Sequence, residues 1–197
     1  MRRPSGFSQV ELLAVLTLLG LVAVLGFPAA ADRLAASRAS AAAREMALTL
    51  QSLRWRAVAS SASHGVLFVQ EGPRWSWLLV RDGNGNGLST AEVRNGTDLT
   101  LSGPHRFDDV MAGIVPGFPP VARIPNIPPR AGALANLADP IQFGSSNLVS
   151  FSALGSASSG TIYLTDGRHA LRAVVLFGPT GRVRVWRLDT REGRWRL

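Results

Sequence analysis

The chain opens MRRPSGFSQVE (1–11) and then runs LLAVLTLLGLVAVLGFPAAA over residues 12–31 without a charge. The reading of this stretch decides the architecture, and three readings compete. A secretory signal peptide would use Met1-Arg2-Arg3 as its basic region and Ala29-Ala30-Ala31 as its cleavage site. Yet 20 uncharged residues suit a bilayer-spanning helix better than an apolar signal core of roughly 7–15 residues. A plain anchor would keep Arg2 and Arg3 on the cytoplasmic side. Neither accounts for Glu11, because a carboxylate beside hydrocarbon is costly and usually marks a paired, functional group. The third reading supplies a partner. Cleavage between Gly6 and Phe7 would create an α-ammonium at the same helix end as Glu11, where residues four apart share a face. A carboxylate in the first turn also complements the helix dipole.

Gly6-Phe7-Ser8-Gln9-Val10-Glu11-Leu12-Leu13 resembles the prepilin cleavage and methylation motif of type IV pilins and type II secretion pseudopilins. The resemblance implies removal of residues 1–6 by a prepilin peptidase and N-methylation of Phe7. It also implies that Glu11 serves assembly with other pilin or pseudopilin subunits. The precursor would sit in the inner membrane as a single-pass protein, its globular domain in the periplasm, before entering a pseudopilus or pilus filament. Pro28 falls where many pilins carry a helix-kinking proline. Ser8-Gln9-Val10 departs from the commonest wording, Thr-Leu-Ile.

Composition narrows the remainder. A chain of 197 residues suits one modest globular domain behind an N-terminal segment. Cysteine is absent, which excludes disulfides, thiolate metal sites and cysteine nucleophiles. Every cation in the Lys+Arg count of 21 is an arginine, and the net charge is +8. That balance suits anionic partners, although a general preference for arginine is the plainer reading of it.

Asp32–Ser60 holds no Gly or Pro and is rich in alanine, so the helix is expected to continue through it. Ala39, Ala43, Met46, Leu50, Leu53 and Ala57 recur at alternating spacings of four and three, one apolar stripe at helical period. This stripe is expected to clasp a β-sheet, with His64-Gly65 ending the helix. From Val66 the period changes. Val66–Gln70, Trp75–Arg81, Thr97–Leu101, Val149–Ser152, Thr161–Thr165, Ala170–Phe177 and Arg182–Leu188 read as strands between turn formers. Eight of the twelve prolines lie within 104–140, which predicts a long Pro-rich loop over 102–147. The expected organisation is leader 1–6, membrane-spanning assembly helix 7–31, amphipathic continuation 32–64 and β-rich domain 65–197. The fold class is α+β and pilin-like, a long N-terminal helix packed on an antiparallel sheet.

Few residues promise chemistry. Asp82-Gly-Asn84-Gly-Asn86-Gly87 resembles the start of a calcium loop, but the bidentate Glu of such a loop would fall at Val93, with Glu92 one place short. A turn is the favoured reading, and calcium on Asp82, Asn84 and Asn86 the weaker one. His64, His105 and His169 are far apart and show no metal-ligand spacing. Nothing has the pattern of a nucleophile elbow or a phosphate-binding loop. The expectation is a protein without catalysis or cofactor.

The C-terminus carries six arginines between 182 and 197, against Asp189 and Glu192. Arg182 and Arg184 should share one strand face, opposite Val183 and Val185. Gly181-Arg182-Val183-Arg184 is similar to the C-terminal motif of the GspH/FimT family of minor pilins and pseudopilins. That resemblance covers both ends of the chain but not the Pro-rich middle. It implies either a structural subunit of a type II secretion pseudopilus, the preferred expectation, or a FimT-like minor pilin. The latter would bind DNA through Arg182, Arg184 and Arg187, with Trp186 and Trp195 available for stacking. The plain alternative is an edge strand kept from aggregating by its charge.

Overall fold

The computed structural model describes residues 8–121, 123–190 and 192–197, without the side chains of Ala23 and residues 25–29. Gly6, Phe7, Arg191 and the side chain of Pro28 therefore lie outside the described residues. The fold is α+β: one long helix, α1 (Gln9–Ser60), precedes antiparallel strands. The chain divides into two compact units, Met1–Ala35 and Ala36–Leu197.

In the first unit, α1 begins with a reciprocal cap. The Ser8 hydroxyl accepts the Val10 N–H at 3.3 Å, and the Glu11 carboxylate accepts the Ser8 N–H at 3.3 Å. This satisfies donors that a helix start leaves orphaned. Leu12, Leu13, Val15, Leu16, Leu18, Leu19, Leu21 and Val22 are exposed, so apolar side chains point outward on every side. Among the described residues no helix is long and apolar enough to cross a membrane. The expected span 12–31 includes the residues whose side chains are not described.

The second unit is built around the rest of α1. Ala39, Ala43, Met46, Leu50, Leu53 and Ala57 are all buried in its main core, as their spacing predicts. The helix stops earlier than expected. Ser61 adopts a left-handed φ of 51°, and the Ala62 N–H bonds the Ala57 carbonyl at 3.3 Å. His64 and Gly65 instead begin the first strand. A side chain at Gly65 would run into the Val149 carbonyl, so glycine lets β1 approach its neighbour.

Two antiparallel sheets pack on this core. The first has the order β3 (Leu99–Arg106), β2 (Arg74–Arg81), β1 (His64–Glu71), β6 (Leu148–Phe151). Its inward face carries Val66, Phe68, Trp75, Trp77, Val149 and Phe151. Its other face carries a small cluster of Leu67, Val80 and Leu148, flanked by Leu88 and Val93. The second sheet has the order β10 (Arg194–Arg196), β9 (Arg182–Asp189), β8 (Leu171–Phe177), β7 (Gly160–Thr165), β4 (Val115–Pro116), with β5 (Ile141–Gln142) also on β7. Two short helices, α2 (Thr90–Asn95) and α3 (Phe107–Val110), and a 3₁₀ turn at Gly178–Thr180 complete the described part of the unit. All seven expected strands are present; six agree within two residues at each end, while β3 runs five residues past the expected Leu101. The connection between β2 and β3 is not the tight turn that Asp-Gly and Asn-Gly suggest, because it contains α2.

The Pro-rich segment is irregular apart from the extension of β3 to Arg106, the short helix α3, and β4 and β5. It is not a free excursion. Ile124, with Phe118, Val121, Ile127 and Leu134, packs on Tyr163, Leu171, Ala173, Leu188 and Trp195. These last residues form the face of the second sheet turned away from α1. The segment closes there through the Leu134 N–H on the Ile124 carbonyl, 2.8 Å, and the Trp195 indole N–H on the Pro125 carbonyl, 2.8 Å.

Candidate functional site

Alternation along β9 sorts the C-terminal arginines. Val183 and Val185 pack against the α1 core, while Arg182 and Arg184 are exposed on the opposite face, as expected. Arg187 differs in parity and stands opposite Arg172 on the α1 side. Arg182, Arg184 and Arg187 therefore do not form one face, which corrects the expected three-arginine surface. Trp186 and Trp195 belong to the core beneath the Pro-rich segment, and Trp195 is buried. Trp195 offers no free ring, and Trp186 is partly covered. Arg196 is engaged by Glu192 at 2.7 Å and Asp189 at 3.7 Å.

Among the described residues only β8 borders Arg182–Trp186, because β10 pairs β9 at Arg187–Asp189. The strand start is thus a charged open edge. The aromatic neighbour of Arg182 is Phe177, directly opposite it in register and 56% exposed. Sequence reading overlooked Phe177, although its place at the end of an apolar strand makes exposure the informative observation.

Gly181 holds this segment in place. Its φ is 61°, and a side chain there would meet the Gly155 carbonyl at 2.5 Å and the Arg54 side chain at 2.8 Å. Arg54, on α1, donates from Nε to the Gly155 carbonyl at 3.1 Å. The glycine of Gly-Arg-Val-Arg thus docks β9 on α1 through a close approach that no other residue permits.

The Asp82 loop is organised by its own backbone. The Asp82 carboxylate accepts the N–H groups of Asn84 (3.1 Å), Gly85 (2.7 Å) and Gly87 (2.8 Å). Burial pushes its pKa up, but these donors and Arg81 outweigh burial and leave it below the usual carboxylate value. Asp98 accepts the Gly83 and Ser89 N–H groups in the same way. Asn84 and Asn86 donate from Nδ2 to the Glu92 carboxylate at 3.0 and 2.9 Å. Glu92, displaced by one position from a calcium-loop ligand, ties the loop to α2. Among the described residues no group of three acidic or histidine side chains is placed to hold a metal ion.

The three histidines are not brought together. His64 is buried at the start of β1, with Nδ1 3.0 Å from the Ala62 carbonyl. His105 lies on β3, 2.8 Å from the Ser102 hydroxyl and against Trp77. His169 is exposed in the β7–β8 turn. A cleft of about 560 Å³ between α2 and the first sheet is lined by Leu67, Val69, Leu78 and Val93, with Arg94 at its wall. That lining presents no pair of groups for proton transfer.

No family model matches this chain, and no curated protein or solved structure matches it either.

Proposed function

We propose that this chain is a minor pseudopilin, a structural subunit of a type II secretion pseudopilus that serves protein export. In this reading α1 anchors the precursor in the inner membrane through residues 12–31, and the Ala36–Leu197 unit lies in the periplasm. A prepilin peptidase removes residues 1–6 and methylates Phe7, and neighbouring subunits then take up the helix. The observation that carries the reading is a conjunction. A Gly-Phe junction with Glu11 precedes an apolar helix start, and the same helix continues into a stripe clasped by two antiparallel sheets.

Intact-mass measurement from cells containing the peptidase tests it. The expected product lacks residues 1–6 and carries one added methyl. A mature N-terminus after Ala31 would sink the proposal. The cap geometry also refines the role of Glu11. Glu11→Gln keeps a capping acceptor but removes the charge, whereas Glu11→Val removes both. If the carboxylate neutralises a terminal ammonium, both variants fail to enter filaments. If it serves only the cap, Glu11→Gln assembles normally.

A second reading, a FimT-like minor pilin that binds DNA, draws support from Arg182 and Arg184. Both are exposed, neither has an ion-pair partner among the described residues, and Phe177 stands beside them. It requires duplex binding that weakens steeply with salt and is lost in Arg182→Gln/Arg184→Gln. Binding absent at low ionic strength removes this reading and leaves the first intact.

A further inference from the structure

Arg172, on β8, is an arginine in the core at 4% exposure. Its Nε donates to the Ser40 hydroxyl, Nη2 to the Ala36 carbonyl and Nη1 to the Leu171 carbonyl, each at 3.0 Å. It thereby fastens β8 to α1 at the point where the chain enters the second unit. These partners are all neutral, and a buried cation ordinarily requires a counter-charge.

The surroundings add positive charge. Arg187 is its direct cross-strand neighbour, exposed on β9. Arg44 is exposed one helical turn beyond Ser40, on the same flank of α1. Arg168 is exposed in the turn that leads into β8. Among the described residues no carboxylate is within ion-pair distance of Arg44, Arg168, Arg172 or Arg187. Burial, then repulsion from Arg187, lowers the Arg172 pKa to about 10, with Arg44 adding to this and Asp166 opposing it. Asp166 opposes the repulsion from Arg187 and counts for more than Arg44, and its Oδ1 is held in the turn by the N–H groups of Arg168, His169 and Ala170. Asp189 and Glu192 engage Arg196.

Chain length says what this surface meets. The apolar run ends at Ala31, and Ala36 follows five residues later. Five residues reach at most about 17 Å fully extended and about 7.5 Å as helix. Whatever the orientation of the unit, an anchor over 12–31 holds Ala36 close to the bilayer surface. We propose that Arg44, Arg168 and Arg187 form a surface for anionic phospholipid headgroups, with Arg172 as the buried residue that positions it. The inference rests on the anchored reading above. The surface would seat the periplasmic unit on the membrane before assembly, and extraction into a filament would break the seat.

The full chain reconstituted in vesicles tests this, using phosphatidylcholine alone or phosphatidylcholine mixed with phosphatidylglycerol. Flotation reports the anchor, and hydrogen exchange of the Arg168, His169 and Ala170 amides reports the seat. The expected result is flotation with both vesicles. Exchange at the three amides should be at least about fivefold slower in the anionic ones, the equivalent of about 1 kcal/mol for one arginine near an anionic surface. High salt and Arg168→Gln/Arg187→Gln should each abolish the slowing. Flotation with equal exchange in the two vesicles overturns the headgroup surface and leaves the anchor standing. Failure to float with either overturns both. Equal slowing by duplex DNA on neutral vesicles would assign the surface to nucleic acid and overturn the lipid proposal.

Discussion

The two faces of the second sheet are covered by different kinds of chain. On one face lies α1, whose own hydrogen bonds are complete and whose stripe alternates small and large residues from Ala39 to Ala57. On the other lies the Pro-rich segment, almost without regular structure, which contributes Phe118, Val121, Ile124, Ile127 and Leu134. Both exclude water from the strands between them. They differ in how their backbone polar groups are satisfied. The helix satisfies its groups internally, while the Pro-rich segment has fewer donors and depends on a few bonds such as Leu134 to Ile124 and Trp195 to Pro125. A cover that is rigid by itself should tolerate loss of volume poorly. A cover held at a few points should collapse into the gap.

Leu50→Ala is the largest expected effect. Leu50 is fully buried between α1 and the sheets, and the helix cannot move in to fill the cavity. The loss should be about 3–4 kcal/mol, read as a lower denaturant midpoint at unchanged slope. Ile124→Ala removes a side chain equally buried beneath the Pro-rich segment. If that cover collapses, the cost should be nearer 2 kcal/mol, the low end for such truncations. Equal losses at the two positions would break the comparison and make the Pro-rich segment as unyielding as the helix. A smaller step is Trp195→Phe, which keeps most of the ring but loses the bond to the Pro125 carbonyl. About 1 kcal/mol is expected from the same denaturant measurement.

The same contrast explains what could be read in advance. The stripe on α1 and all seven longer strands were legible, because period and β-branched runs are local signals. The partners of those faces were not. Phe118, Val121, Ile124 and Ile127 recur every third residue, but the prolines among them exclude a helix, and only the fold brings these residues and Leu134 onto Tyr163 and Trp195. β4, β5, β10 and α3 are two to four residues long and owe their conformation to what they pack against. The cap was legible and overlooked, since Ser8-Gln9-Val10-Glu11 has the spacing of a capping box. At the C-terminus, alternation placed Arg182 and Arg184 correctly, and the same parity rule, carried three residues further, assigns Arg187 to the opposite face. The place of Arg172 was not accessible from sequence. An arginine inside an apolar strand pattern gives no sign that a helix carbonyl 136 positions away will receive it.

The smallest effect is nil at neutral pH and appears only in alkali. Tyr163 is the sole tyrosine of the chain, so its phenolate absorbance can be followed without interference from another. It sits under the Pro-rich segment, 5.0 Å from the Phe118 ring and 6.2 Å from the Trp195 ring, measured between centroids. Burial pushes its pKa up to about 12, against smaller opposing effects of the Thr161 hydroxyl and Arg130. The neutral phenol is thus favoured in the folded chain, whereas the unfolded chain ionises near the ordinary value of about 10. Stability from this group is therefore fully present below pH about 10 and is lost as pH rises towards 12. Absorbance titration of the folded protein should show its midpoint well above 10, with unfolding accelerating over the same range. Phe118→Ala opens the cover from the loop side and should draw the midpoint down, while Leu50→Ala, on the other face, should leave it in place. A midpoint near 10 in the unaltered chain would mean that the Pro-rich segment admits water to the sheet, and the two faces would then differ in kind and not only in stiffness.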